Sequence, residues 1–265
     1  MLSYAGRGIP FVMPPEDCDL LADWLEENYP DEFCASLSFE ADFVDGLCAS
    51  GFIPMALKDD EAGEVLIPKL HTIRSVLDPR AVLVTRTARR ESRRYRLGLD
   101  LRFEEVLTAC LETHGADWLR PPLLESWREL FASRGKRKSR FASMELYEGD
   151  RLVAGEIGVF VGGCYTSLTG FRRESGAGTV QLAATARYLE SAGAKLWDLG
   201  MPLDYKATLG AHDVSREEFL GLFREARAAG IGRPGDSRAV DGSVPSRART
   251  WPARALLDRA FVNAL

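Results

Sequence analysis

The chain has 265 residues, 46% of them hydrophobic, and a formal net charge of −5 at pH 7. This length and apolar content suffice for one or two domains with buried cores. The acidic balance excludes a protein that is drawn to nucleic acid by its overall charge, so any such binding must come from a local basic patch. No stretch approaches the roughly 18 apolar residues of a membrane span, and the first residues lack the pattern of a secretion signal, so we expect a cytoplasmic protein without membrane contact.

The cysteines and histidines give no sign of a metal site. The five cysteines are scattered, without a C-x-x-C pair, which argues against a disulfide framework and against zinc. His71 stands alone in PKLHTIRSVLD and is assigned no catalytic role, because a lone histidine is more often a packed or surface residue. We therefore predict a protein without metal.

Residues 1–78 are predicted to form a small N-terminal α/β domain. Apolar residues recur at helical spacing over residues 19–26, which predicts a short amphipathic helix. A second helix follows Ser38, a suitable N-cap, and ends at Gly51. An extended apolar run covers residues 65–67.

The second predicted domain, residues 79–229, opens with an extended apolar run, DPRAVL, at residues 78–83 and then carries a dense group of arginines. Guanidinium groups at this density suit a phosphate backbone, with an affinity that would fall steeply with salt. The alternative is a solvated helix face that pairs with acids elsewhere. The arginines of the group are Arg86, Arg89, Arg90, Arg93, Arg94 and Arg96.

A second basic run, residues 135–140, contains Lys136, Arg137 and Lys138 between a predicted helix and a predicted strand. Two separated basic segments favour a polyanionic partner. Trp118 precedes the Pro pair at which a helix over residues 123–131 is predicted to start. An exposed Trp there could stack a nucleobase, whereas the commoner use of Trp is as a core anchor.

The central stretch, residues 162–211, predicts a strand, a glycine-rich turn, a long helix, a buried strand and a polar loop. A hairpin of two strands, residues 143–147 and 152–160, precedes it. Asp198 lies near the end of the predicted strand over residues 195–199, where ligands gather in open α/β sheets. The alternative is that Asp198 only caps the following loop. Glu156 interrupts the hairpin, and its neighbours Gly155 and Gly158 leave its face undetermined.

The C-terminal part, residues 230–265, is predicted to be a separate segment. A helix over residues 216–229 ends at Gly230. Residues 231–249 are rich in Gly, Pro, Ser and Arg and predict a flexible linker. Residues 251–265 predict a short amphipathic helix.

This order of elements predicts an α+β fold, an acetyltransferase-like (GNAT-like) mixed sheet with flanking helices. Individual motifs make the resemblance specific: they resemble, in order and near spacing, the leucyl/phenylalanyl-tRNA–protein transferase family over roughly residues 40–225. The motifs are GFIP at residues 51–54, DPRAVL at 78–83, FEEVLTAC at 103–110, DWLRP at 117–121, LVAGEIGV at 152–159 and WDLGMPLDYKATLGA at 197–211.

The resemblance implies an aminoacyltransferase that moves an amino acid from tRNA to the N-terminal amine of another protein and so marks it for degradation. Aminoacyl-tRNA is then the co-substrate, and no further cofactor is needed because the ester is already activated. An aspartate in the family's D-C-Q setting does the proton work or orients the attacking amine, and Asp198 stands at its place. The two basic segments and Trp118 become candidate tRNA contacts.

Several positions depart from the family pattern. Gly200 replaces a Gln, Leu168 replaces a Glu, and PKLHTIRSVL stands in place of a W-W-S-P run. Glu156 stands where the family has a methionine that lines an apolar pocket for leucine or phenylalanine. The resemblance implies transfer of leucine or phenylalanine. A carboxylate at this position would suit a cationic side chain, so the change to Glu156 gives arginine or lysine as the other hypothesis. The alternative is an outward-facing Glu156. The predicted aminoacyl-binding residues are Glu156, Tyr165, Leu168, Trp197 and Gly200.

Two other classes stay open. RESGAG, at residues 173–178, satisfies the R-x-x-G-x-G loop by which acetyl-coenzyme A enzymes hold a pyrophosphate at a helix N-terminus. The protein would then be an N-acetyltransferase. The missing Gln and Glu also allow a non-catalytic adaptor that binds tRNA or protein N-termini.

Overall fold

A computed structural model describes residues 3–4, 7–14, 17–133, 135–230 and 250–258. The α-helices of this part are α1 (Cys18–Asn28), α2 (Ala41–Ala49), α3 (Arg86–Glu91), α4 (Phe103–His114), α5 (Pro121–Ala132), α6 (Ala177–Ser191), α7 (Asp204–Thr208), α8 (Arg216–Ala229) and α9 (Ala253–Leu256). The strands are β1 (Ser3–Tyr4), β2 (Arg7–Gly8), β3 (Ile53–Asp59), β4 (Gly63–Lys69), β5 (Ile73–Leu77), β6 (Tyr95–Leu99), β7 (Arg140–Glu148), β8 (Arg151–Val161), β9 (Cys164–Arg172), β10 (Leu196–Asp198), β11 (His212–Ser215) and β12 (Thr250–Pro252).

Eight of these strands form one mixed sheet in the order β11-β5-β10-β9-β8-β7-β6-β12. Strands β9 and β10 are parallel and are joined by helix α6, whereas the other neighbours are antiparallel. Strands β3 and β4 form a separate hairpin. The predicted α+β fold, a mixed sheet with flanking helices, is confirmed.

Helices cover both faces of the sheet. Helices α1, α2, α4, α5 and α8 pack with one set of inward-facing strand residues, which includes Val76 and Val159. Helices α3, α6 and α9 pack with the alternate set, which includes Trp197 and Tyr165. We call these the α8 face and the α6 face. Because successive strand residues point to opposite faces, each functional side chain belongs to one of them.

Several helix boundaries follow from local chemistry. Asp17 caps α1 by accepting from the backbone N–H of Asp19, and Pro121 begins α5, as a proline at the first helical position should. Gly176 adopts a left-handed φ of 81° immediately before α6. The hairpin of β7 and β8 and the crossover through α6 are confirmed.

Two predicted elements are wrong. Residues 79–81 form a 3-10 helix instead of an extended run, because Asp78 caps the turn by accepting from the N–H of Arg80 and a proline opens it. The predicted helix over residues 251–265 begins later: Trp251 lies in β12, opposite Leu97 of β6, and α9 starts only after Pro252.

The predicted domain boundaries stay predictions. Strand β5 belongs to the predicted N-terminal domain and is an inner strand of the main sheet, between β11 and β10. Strand β12, from the predicted C-terminal segment, pairs with β6 at one edge. The predicted linker over residues 231–249 and the last residues, 259–265, lie outside the described residues.

Candidate functional site

Asp198 ends strand β10 and is fully buried on the α8 face. Its Oδ2 accepts from Nη1 of Arg74 at 3.1 Å, and its Oδ1 accepts from the N–H of Gly200 at 2.9 Å. A buried ion pair therefore occupies the carboxylate of Asp198. Its catalytic role stays a prediction.

Arg74 is the partner that the sequence reasoning missed. Its Nη2 donates to the carbonyl of Gly51 at 2.8 Å, and the guanidinium lies 4.2 Å from the ring centroid of Phe219. Burial lowers the pKa of Arg74, and the charge of Asp198 opposes that shift. The signal in the sequence was a charged residue inside the apolar run before Asp78, within the segment that departs from the family pattern.

Glu156 is buried on the α6 face with two hydroxyl partners. Tyr165 donates to Oε1 at 3.2 Å, and Ser167 donates to Oε2 at 3.0 Å. Ser167 in turn accepts from Nε1 of Trp197 at 2.9 Å. Burial raises the pKa of Glu156 to about 7, although the hydrogen bonds from Ser167, Tyr165 and Gln181 lower it. The alternative of an outward-facing Glu156 is wrong.

The structure separates the predicted site into two places. Asp198 pairs in register with Val76, whose side chain joins the core cluster of α8. Glu156 pairs with Met144, whose side chain joins the core cluster of α6. The two carboxylates thus lie on opposite faces of the sheet.

The remaining members of the predicted aminoacyl-binding set divide in the same way. Tyr165 and Trp197 lie beside Glu156, with ring centroids 6.4 Å apart. Leu168 packs against the core of the α8 face. Gly200 lies in the loop after β10 with a left-handed φ of 76°.

The arginine segment lies beside α6, which α3 contacts. Arg90 pairs with Glu91 at 3.0 Å, Arg94 pairs with Glu148 at 2.6 Å, and Arg89 donates to the carbonyl of Leu257. Arg86 and Arg93 are exposed, and no ion pair with the described part of the chain is recorded for either. The positive surface is therefore smaller than six arginines suggest.

The second basic segment follows a helix of the α8 face, whereas α3 packs on the α6 face. This second segment joins α5, on the α8 face, to β7, and Arg137 pairs there with Asp42 and Glu129. Lys138 lines a cavity of about 660 Å³ with Asp17, Asp19, Glu40 and Asp42 among its walls. Lys136 is exposed. The two basic segments do not form one surface, so the inference from two separated runs to one polyanionic partner loses its support.

Trp118 is partly buried and packs edge-on against Trp127, with ring centroids 6.4 Å apart. This contact favours the alternative of a core anchor. Residues 173–178 follow β9, but Arg173 donates to the carbonyl of Leu152 at 3.0 Å and lies over Phe171, so its guanidinium is already engaged.

The described residues contain neither a metal cluster nor a membrane span. No group of three or more His, Cys, Asp or Glu side chains there is placed to hold a metal ion. None of the helices within the described ranges is long and apolar enough to cross a membrane.

The mixed sheet, its parallel β9-α6-β10 crossover and the acidic end of β10 define an α+β fold of the acyltransferase-like class. The model of the family described as leucyl/phenylalanyl-tRNA protein transferase matches residues 76–224, more than half of the chain. The chain therefore belongs to the leucyl/phenylalanyl-tRNA–protein transferase family, and it is an aminoacyltransferase of that type. The predicted family resemblance is confirmed.

Curated relatives agree with the family match. A leucyl/phenylalanyl-tRNA–protein transferase of Deinococcus radiodurans is 28% identical over 237 residues, which cover 87% of this chain and 99% of the relative. That of Paracoccus denitrificans is 28% identical, with 72% and 85% covered. That of Anaeromyxobacter dehalogenans is 32% identical, with 58% and 66% covered.

Proposed function

We propose that this chain moves an amino acid from aminoacyl-tRNA to the N-terminal amine of an acceptor protein. The observation that carries the proposal is the family match over residues 76–224, together with the nearly full-length coverage of the Deinococcus radiodurans relative. Charged tRNA is found in the cytoplasm, which we therefore propose as the location. The acceptor would be marked for degradation.

The proposed reaction is the aminolysis of an ester. The acceptor amine attacks the ester carbonyl, the bond to the terminal ribose oxygen of the tRNA breaks, and a peptide bond forms. The amine loses a proton, and the ribose oxygen gains one. Because the ester is already activated, the protein needs only to align the reactants, help the proton transfer and stabilise the oxyanion, so we propose no cofactor besides aminoacyl-tRNA.

Asp198 is proposed to act in this reaction by orienting its surroundings. Its buried carboxylate binds the N–H of Gly200 and the guanidinium of Arg74. A carboxylate that already neutralises a buried cation is a poor proton acceptor, since protonation would leave the guanidinium unpaired. Of the two roles that the family resemblance allows, orientation is the one we propose.

Glu156 is proposed to select the amino acid. All the hydrogen bonds recorded at its carboxylate are donated to it, and no ion pair with a residue in the described ranges is recorded. A buried carboxylate without a cation is unfavourable, and a guanidinium or ammonium group would relieve it. We therefore propose arginine or lysine as the amino acid, with leucine or phenylalanine as the alternative.

The test is transfer of radiolabelled amino acid from bulk charged tRNA to peptides that differ at the N-terminal residue. We expect label in the peptides when arginine or lysine is charged, and none in peptides with an acetylated N-terminus. Preference for leucine or phenylalanine would reject the role of Glu156. Failure with every aminoacyl-tRNA, or stabilisation by acetyl-coenzyme A with acetyl transfer, would reject the proposed function.

The variant Glu156→Met sharpens this test, because it restores the apolar side chain of the family pattern. We expect Glu156→Met to lose arginine and lysine transfer by at least about tenfold and to gain leucine or phenylalanine transfer. A matched control is Glu112→Met, since Glu112 is exposed on α4. Equal preferences in wild type and Glu156→Met would show that Glu156 does not select the amino acid.

A further inference from the structure

Lys206 is a buried lysine that the reaction described above does not use. It lies in α7, and only 4% of its surface is exposed. Its Nζ donates to the carbonyls of Leu199 and Met201, each at 2.5 Å. Lysines are almost never buried without such partners. The ammonium therefore joins α7 to the loop that precedes it.

That loop, residues 199–203, follows β10, and we call it the β10 loop. Backbone hydrogen bonds to β5 fix its first residues. The backbone N–H of Ser75 donates to the carbonyl of Gly200 at 2.7 Å, and the backbone N–H of Leu199 donates to the carbonyl of Ser75 at 2.9 Å. Beyond Gly200 the side chains of Met201 and Leu203 are half-exposed. The Lys206 ammonium is thus the buried polar group that ties Met201 to the interior.

Helix α7 interacts electrostatically with the buried carboxylates of both faces of the sheet. Lys206 interacts electrostatically with Asp198 of the α8 face. Burial raises the pKa of the neighbouring Tyr205, and the charge of Glu156, on the α6 face, adds to that shift. Two neighbouring residues of α7 therefore interact with one of these two carboxylates each. In a sheet with parallel strands, the end of such a strand is also where ligands bind.

We propose that Lys206 is a positioning residue, whose charged ammonium fixes the β10 loop in the conformation that the transfer reaction needs. The proposal rests on the proposed function for its catalytic part only. Its structural part, the fixing of the loop by a charge, is measurable without substrate. Loss of the charge by deprotonation would weaken both hydrogen bonds, because hydrogen bonds from an ammonium are stronger than those from a neutral amine.

The groups around Lys206 place its titration in an accessible pH range. Burial lowers the pKa of Lys206 to about 8, and Arg74 of β5 acts in the same direction. Asp198 of β10 and Asp213 of β11 oppose the shift. The ring of Tyr205 lies 5.8 Å from Nζ, and His71 also interacts with the ammonium. These two carboxylates thus do not offset the effect of burial on the pKa of Lys206.

The first measurement is hydrogen exchange of the full chain between pH 6 and pH 10, corrected for the intrinsic rate. In wild type, we expect protection of the β10 loop to fall by about tenfold as the pH rises through 8. Lys206→Arg keeps the charge and should hold the protection up to pH 10. In Lys206→Met, the amides of the β10 loop should exchange at every pH as fast as those of wild type above pH 8. The matched control is Lys195→Met, because Lys195 is an exposed lysine just before β10.

The second measurement is the pH profile of kcat for amino acid transfer. We expect kcat of wild type to fall above pH 8, Lys206→Arg to remove that fall, and Lys206→Met to lower kcat at all pH values with little change in KM for tRNA. The proposal would be overturned if protection of the β10 loop in wild type did not change with pH, or if kcat of Lys206→Arg still fell above pH 8. Either result would hold even if Lys206→Met did not fold. A third outcome is that hydrogen exchange of the β10 loop depends on Lys206 as expected but the protein transfers no amino acid. That outcome would reject the proposed function and the catalytic part of this proposal, and would keep its structural part.

Discussion

Arg74 donates from Nη1 to Oδ2 of Asp198 across 3.1 Å, and neither side chain has exposed surface. Removal of one partner leaves a buried charge without compensation, which typically destabilises a protein by about 3–5 kcal/mol. We predict that Arg74→Met and Asp198→Asn each lower the free energy of unfolding by about this amount, and that the double variant loses clearly less than their sum. Chemical denaturation of the four proteins measures this coupling.

The exposed pair of Arg128 and Glu104, 3.0 Å apart, is the matched control, and its removal should change stability by less than about 1 kcal/mol. Transfer activity then shows whether the reaction needs the charged pair of Asp198 and Arg74. We expect the double variant Arg74→Met with Asp198→Asn to keep activity within about tenfold of wild type. A folded but inactive double variant would show that the charged pair of Asp198 and Arg74 is essential to the reaction.

Glu156 gives a prediction for the pH dependence of stability. Its pKa is raised from 4.5 to about 7, so the folded protein binds a proton more tightly than the unfolded chain. The stability that this group contributes is complete below pH 4.5 and is lost as the pH rises through 7. We predict that Glu156→Gln gains stability relative to wild type by about 3 kcal/mol between pH 4.5 and pH 8.

Thermal or denaturant unfolding over this pH range provides the measurement. Glu112→Gln, which changes an exposed glutamate, should track wild type at every pH. A constant difference between Glu156→Gln and wild type across the range would mean that Glu156 stays ionised in the folded protein.

Arg86 and Arg93 are the arginines of the basic segment best placed to meet tRNA, because both are exposed and no ion pair with the described part of the chain is recorded for them. We predict that Arg86→Ala with Arg93→Ala weakens tRNA binding. The slope of log affinity against log salt should fall by about one for each phosphate that an arginine no longer neutralises. Titration with charged tRNA at several salt concentrations measures both quantities.

Two single substitutions accompany this experiment. Lys58→Ala, in the β3-β4 hairpin, removes an exposed charge outside both basic segments and should leave the slope unchanged. Lys136→Ala tests the second basic segment, which follows α5 of the α8 face. An equal loss from Lys136→Ala would show that tRNA contacts that segment as well.

Gly162 forms the tight turn between β8 and β9 with a left-handed φ of 54°. A Cβ atom there would overlap the backbone of Arg227 in α8. We predict that Gly162→Ala lowers the free energy of unfolding by about 3 kcal/mol or more, since backbone cannot move aside as a flexible side chain does. Gly63→Ala is the control, because Gly63 also has a left-handed φ, of 78°, but nothing within 4 Å of the added atom. If both variants lost a similar free energy of unfolding, the effect of Gly162→Ala would come from backbone strain alone.

The sequence predicted those elements whose signals are local. Helices α5 and α8 have apolar residues at helical spacing and clear boundaries, such as Pro121 at the start of α5 and Gly230 after α8. The crossover from β9 through α6 to β10 could be predicted from its glycines. Strand β5 was missed because Arg74 and Ser75 interrupt its apolar pattern, and its neighbours β10 and β11 come much later in the chain.

The same distinction applies to the candidate site. Asp198 could be placed at the end of a strand from local pattern and family resemblance, and so could Glu156 within the hairpin. Their surroundings depend on contacts between distant residues: Arg74 and Asp198 are 124 positions apart. The face on which Glu156 lies depends on strand register, which Gly155 and Gly158 conceal.

Strand β12 joins the sheet at the outer edge of β6, although about half of the chain separates the two strands. During synthesis, β6 leaves the ribosome long before residues 250–252 do. Until then, the N–H and C=O groups on the outer edge of β6 lack their hydrogen-bond partners. An uncovered strand edge can pair with another chain. The outer edge of β6 is therefore open to unwanted association until residues 250–252 pair with it.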